Sequence, residues 1–252
     1  MEPQQGAAAA IRLRNLTVAY RGHPAVHHLS GAFAPGSLTA IVGPNGAGKT
    51  SLLAAIMGRV RPVEGDVQFD AGAAGRIAWL PQQAEIDRSF PIRVFDLVAL
   101  GHWARVGSFG GLDAVQRDAV HRAIEAVGLE GFERRGISEL SAGQFQRVLF
   151  ARVLLQDAPV ILLDEPFNAI DARTTADLLA MVGRWHAEAR TVIAVLHDLE
   201  QVRTHFDRTL LMARRCIAWG PTHEVLCAEN LFRARQMAEA WDDQAPLCEE
   251  AA

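Results

Sequence analysis

Cysteine is scarce in this chain. Cys216, Cys227 and Cys248 are its only thiols, and their spacing fits no metal-binding pattern. They read as free thiols of a reducing compartment. Long apolar runs are missing too: none approaches the roughly 20 residues that a membrane-spanning helix needs. A soluble protein is expected, with any membrane role reached through a partner. Met1 to Gln5 carries no basic n-region, so no secretory signal is expected. Clustered basic charge is also absent. The net charge is −4 with both signs spread along the chain, which argues against a nucleic-acid surface. The short pairs Arg12/Arg14, Arg59/Arg61, Arg134/Arg135 and Arg214/Arg215 read as solvated faces. Among nine histidines, His23, His27 and His28 lie close together. No second ligand cluster accompanies them, so they read as surface or loop residues.

Apolar residues make up 50% of the 252, enough to bury a core without covalent staples. The most telling motif is Gly43-Pro44-Asn45-Gly46-Ala47-Gly48-Lys49-Thr50, which fits G-x-x-x-x-G-K-[ST]. Its glycines let the loop turn tightly and aim backbone N–H groups at phosphate oxygens. Lys49 supplies a point charge for the β- and γ-phosphates. The Thr50 hydroxyl can ligate Mg²⁺. Leu38 to Val42 before the loop reads as a strand, and Ser51 to Met57 after it as a helix whose positive end faces the phosphates.

Residues 1–10 read as a leader. Ile11 to Tyr20 alternates as a strand, with a phase change near Asn15. Val67 to Phe69 and Arg76 to Leu80 are further short strands. From Val94 to Val127 the pattern is helical; Asp113 and Gln116 form a capping box, and Gly128 stops the helix. Val160 to Leu163 and Thr191 to Leu196 are continuous apolar runs, as expected of strands buried on both faces. Each ends in polar residues, Asp164-Glu165 and His197-Asp198. In parallel α/β sheets ligands sit beyond the carboxyl ends of strands, so the strand ends point to one catalytic edge. Beyond about residue 226 a peripheral helix and a loose tail are expected.

Asp164 stands where a carboxylate can hold Mg²⁺, and Glu165 can polarise an attacking water. Gln82, in the loop after Leu80, can meet Mg²⁺ or that water; Gln83 is an equal candidate on chemistry alone. His197 can contact the γ-phosphate. Tyr20, the only tyrosine, can stack on a base. Leu140-Ser141-Ala142-Gly143-Gln144 offers a hydroxyl and a glycine for close approach. A helix is expected to begin near Gln144, with Val148, Ala151 and Leu155 as core.

With these motifs in this order, the chain resembles the nucleotide-binding subunits of ABC transporters over nearly all of residues 11–225. Tyr20 matches the aromatic loop, Gly43–Thr50 Walker A and Gln82 the Q-loop. Leu140–Gln144 matches the signature, Ile161–Glu165 Walker B, Asn168–Asp171 the D-loop and His197 the switch histidine. The resemblance implies an α/β fold: a P-loop, RecA-like ABC ATPase core with an antiparallel β subdomain and an inserted α-helical subdomain spanning about 90–155. It implies ATP and Mg²⁺ as cofactors, with contacts from Tyr20, Gly43 to Ser51, Ser141, Gly143 and Gln144. Glu165, His197, Gln82 and Lys49 would be catalytic, and Thr50, Gln82 and Asp164 would hold Mg²⁺. It further implies a head-to-tail homodimer when ATP is bound, each ATP lying between one P-loop and the other subunit's signature. An integral-membrane permease and, indirectly, a periplasmic metal-binding protein would complete the system. The chain would sit peripherally on the cytoplasmic face of the inner membrane. Ala142 stands where Gly is usual, which requires a negative φ there. Asn168 stands where Ser is commoner.

Asp87-Arg88-Ser89-Phe90-Pro91-Ile92 is similar to the zinc/manganese/iron importer group. Leu140 to Arg147 and Cys216 to Pro221 resemble more narrowly the AztA-type zinc transporter ATPases. The competing expectations are manganese or iron as cargo, and a soluble non-transport ATPase of cofactor assembly.

Overall fold

The computed structural model describes residues 11–70, 76–82, 87–107 and 110–239. The expected leader, Gln83 and the tail with Cys248 lie outside them. The chain builds two sheets. The smaller is antiparallel and contains β1 (Ile11–Tyr20), β2 (His23–Phe33) and β4 (Glu64–Phe69), in the order β2-β1-β4. The phase change near Asn15 is a true irregularity: Asn15 has φ +48°, and β1 shifts register there against both neighbours.

The larger sheet holds β3 (Leu38–Val42), β5 (Ile77–Leu80), β6 (Val160–Asp164), β7 (Thr191–Val195), β8 (Arg208–Ala213) and β9 (Arg215–Pro221). Its order is β5-β6-β7-β3-β8-β9, parallel except for the β8–β9 hairpin. Continuous apolar runs form its centre because both faces are covered. Alternate residues serve opposite cores. Ile161, Leu163, Val192 and Ala194 face one cluster, and Val160, Leu162, Ile193 and Val195 face the other.

The first cluster joins the sheet to α5 (Ala142–Gln156) and α6 (Ala172–Ala187), where Trp185 stacks on Phe150 with ring centroids 5.6 Å apart. The second joins it to α1 (Lys49–Ile56) and the small sheet. The helical stretch after Val94 is interrupted. It forms α2 (Val94–Ala99), a 3₁₀ turn over Leu100–His102 and the short α3 (Trp103–Val106), then α4 (Ala114–Ala126). Gly107 at φ +71° ends the first part. Asp113 and Gln116 make the expected capping box on α4, and Gly128 at φ +71° follows its end. Past β7 come α7 (Leu199–His205), α8 (Thr222–Val225) and the expected peripheral helix α9 (Ala228–Glu239). Among the described residues no helix is long and apolar enough to cross a membrane.

Candidate nucleotide site

The strand order puts the candidate residues side by side. Adjacent parallel strands β5, β6, β7 and β3 end, in that order, near Gln82, at Asp164-Glu165, near His197 and at the P-loop. Parallel strands all deliver their carboxyl ends to one edge, so the convergence follows from topology.

The P-loop is shaped by its glycines. Gly48 has φ +88°, and a Cβ there would lie 2.0 Å from the Ala25 carbonyl oxygen. Gly46 has φ +75°. Lys49 opens α1, is 6% exposed, and is the chain's single lysine. Its Nζ donates to the carbonyls of Gly43 and Pro44, each at 2.9 Å. Burial lowers its pKa, and the negative charges of Glu165 and Asp164 only partly offset this. Bound phosphate would supply the missing anionic surroundings.

Asp164 and Glu165 are adjacent in sequence and opposite in environment. Asp164 ends β6 at 1% exposure. Glu165 then takes φ +49°, and its N–H donates to the Val195 carbonyl at 3.2 Å. That left-handed step, costing a non-glycine residue on the order of 1 kcal/mol, turns its side chain into the cleft. Three groups meet its carboxylate there. Gln82 Nε2 donates to Oε2 at 2.7 Å, Asn168 Nδ2 donates to Oε2 at 3.2 Å, and His197 Nε2 lies 2.5 Å from Oε1. Thr50, Asp164 and Gln82 offer a hydroxyl, a carboxylate and an amide oxygen. Such an all-oxygen set suits a hard cation such as Mg²⁺, and the action of both acidic residues on Lys49 places this charge beside the P-loop.

A cleft of ≈ 500 Å³ runs over the P-loop, lined by Tyr20, His23, Asn45 to Ser51, Glu165 and Arg214 among others. Tyr20, 47% exposed, is well placed to meet a base. A larger cleft of ≈ 1010 Å³, floored by Trp79 and Arg152, contains none of the candidate residues. The smaller one is the candidate nucleotide site, because the P-loop and Glu165 line it.

Ser141, Gly143 and Gln144 do not line this cleft. Their helix begins at Ala142, two residues before the expected start. Ser141 caps it: Gln144 N–H donates to Ser141 Oγ at 3.2 Å, and Ser141 N–H donates to Gln144 Oε1 at 3.0 Å. The Gln144 side-chain oxygen is thus engaged within its own helix end. The Ser-x-x-Gln pattern was the available signal. Ala142 is helical and takes no positive φ, so its methyl is tolerated. Gly143 packs on the N-terminus of α6, where a Cβ would sit 3.2 Å from Thr174 Oγ1 and 3.3 Å from Asp171 Oδ2. Arg88 donates to the Leu140 carbonyl and lies 5.0 Å over the Phe145 ring, tying the Asp87–Ile92 segment to the signature.

Sequence reasoning missed three participants. Asn168 was placed in the D-loop as a departure from Ser and given no contact, yet it bonds Glu165. His23 was read as a surface or loop residue and Arg214 as part of a solvated face, yet both line the cleft. No local pattern marks the last two.

This arrangement defines a P-loop nucleotide hydrolase, and comparison with known proteins gives its family. Residues 26–168 match the family model described as ABC transporter. The chain is 36% identical over 225 residues to the manganese transport system ATP-binding protein MntB of Bacillus subtilis, covering 88% of this chain and 90% of that one. It is 38% identical over 231 residues to the zinc transport system ATP-binding protein TroB of Treponema pallidum, covering 90% and 87%. A solved metal-chelate-type ABC transporter in an inward-facing conformation superposes with TM-score 0.80 at 27% identity, covering 89% of each chain. The chain belongs to the ABC transporter family, as an ABC ATPase.

Proposed function

We propose that this chain is the ATP-hydrolysing motor of a metal-ion importer, with zinc as cargo. The observation that carries the ATPase chemistry is the carboxylate of Glu165, facing the P-loop cleft between Gln82 and His197. Tyr20 stacks on adenine. Backbone N–H groups from Gly43 to Ser51 and Lys49 hold the phosphates. Thr50, Asp164 and Gln82 would hold Mg²⁺, which would offset phosphate charge. Glu165 takes the proton of the attacking water, and His197 orients the carboxylate and meets the γ-phosphate.

Ser141 and Gly143, away from their own cleft, serve the ATP of a second copy, so two chains pack head to tail around two nucleotides. Closure of that dimer drives an integral-membrane permease, with the segment after Gln82 relaying the motion and the ATPase bound peripherally at the cytoplasmic face of the inner membrane. A periplasmic metal-binding protein delivers cargo indirectly. Zinc is supported by the TroB likeness and by the zinc-type patterns at Leu140–Arg147 and Cys216–Pro221. Manganese is the second reading, favoured by relatives named for manganese transport.

The deciding experiment is uptake in a strain lacking this chain. Loss of radioactive zinc uptake with manganese uptake retained, restored by the intact chain and not by Glu165→Gln, is expected. The reverse metal pattern would replace zinc by manganese. Normal uptake of both would end the transport reading.

A further inference from the structure

Among the described residues, Lys49 and Arg214 are the two permanent cations lining the candidate nucleotide cleft, and the motifs explain only the first. Arg214 is the single residue between Ala213 and Arg215, which pair across the β8–β9 hairpin. It takes φ +60°, a left-handed conformation that Gly or Asn would hold at lower cost. Its backbone is fixed to both walls of the cleft. The N–H donates to the Ala47 carbonyl in the P-loop at 2.9 Å, and the carbonyl accepts from the His27 N–H in β2 at 2.7 Å. Its Nη1 donates to the Pro24 carbonyl at 3.3 Å, alongside the wall on which Gly48 packs.

Topology sets where Arg214 stands relative to the other cleft residues. Arg214 follows β8, on one side of β3, and Glu165 follows β6, beyond β7 on the other. Glu165 and Lys49 claim the γ and β end of the triphosphate, and Tyr20 claims the base. On that reading the α-phosphate and ribose would lie between them, on the side of the P-loop where the Arg214 N–H meets the Ala47 carbonyl. A planar guanidinium fork matches phosphate oxygens there.

We propose that Arg214 is a nucleotide-binding residue that pairs with the α-phosphate and neighbouring ribose of ATP. The inference rests on reading the cleft as an ATP site. Arg214→Gly is the test variant that protects folding, because glycine suits φ +60° and every backbone bond survives. It should melt within a few degrees of wild type, since relief at φ +60° offsets the lost Nη1–Pro24 bond. It should raise the Kd of MgATP and of MgADP about tenfold, equally, since both carry the α-phosphate. The loss should fall on KM, with kcat within about threefold, and Arg214→Lys should recover part of the affinity. Unchanged Kd values would overturn the proposal, and so would a fall in kcat at constant KM. A wild-type protein that binds no nucleotide would fail the ATP reading itself, leaving a distinct signature from failure at Arg214 alone.

Discussion

Replacing Glu165 with glutamine separates chemistry from architecture, because the structure lets the amide fit. The carboxylate now receives Gln82 Nε2 and Asn168 Nδ2 on Oε2, while His197 Nε2 touches Oε1. A glutamine can set its oxygen towards Gln82 and Asn168 and its NH₂ towards His197. The imidazole accepts that NH₂ once its proton sits on Nδ1. No donor is left facing a donor. The loss is the charge assistance of these bonds, about 1–2 kcal/mol in all at this partly open site. For a chain of this length that lowers the melting temperature by roughly 2–8 °C. Turnover should suffer far more, since an amide cannot take a proton from water: about 10²- to 10⁴-fold in kcat. MgATP affinity should stay within about twofold, because the phosphates are held by the P-loop. Phosphate release, equilibrium nucleotide binding and a thermal melt on one preparation supply the three readouts. A variant retaining more than a tenth of wild-type kcat would refute Glu165 as the base. Loss of ATP binding together with a much deeper fall in melting temperature would make Glu165 a structural strut instead.

Ser141→Arg should block dimer closure and ATPase activity while leaving ATP binding by the single chain intact; equal loss of both, by calorimetry and sedimentation, would argue against a composite site. Trp185→Ala, removing the ring stacked on Phe150, should cost about 3–5 kcal/mol in denaturant unfolding; a loss under about 1 kcal/mol would show that this contact is dispensable. Lys49 has a depressed pKa, so MgATP affinity should fall as pH rises through a value below the ordinary 10.5. In the same window the unfolded chain binds more protons than the folded one, so the nucleotide-free protein should gain stability with rising pH. Opposite slopes for affinity and stability are the expected pair, and parallel slopes would contradict the assignment.

The parts of the site that were legible are contiguous or tied to strand ends. Gly43–Thr50 must be continuous to wrap a phosphate, and Asp164 and His197 follow apolar runs that could only be buried strands. The irregularity at Asn15 and the cap at Asp113 were readable because each is a local backbone event. Arg214 was not legible. Its place depends on a hairpin register and on bonds to Ala47 and His27, far away in sequence, so an arginine pair gave no hint that one member turns inward. The start of α5 was misjudged for another reason: Ser141 was weighed as a ligand group alone, although a hydroxyl three residues before a glutamine is also a helix cap. The interruption after Val106 was hidden by helical periodicity on both sides of it.

Among 25 basic side chains, 24 are arginines, and the one ε-amine lies against the P-loop. Amine-directed chemistry therefore has a single side-chain target in this protein, and that target opens the helix after the P-loop. Acylation would add one mass increment outside the terminal amine, ATP would shield it, and the modified fraction would equal the inactivated fraction. Coupling the protein to a surface through its lysine, routine for most proteins, would here select molecules that can no longer hold nucleotide.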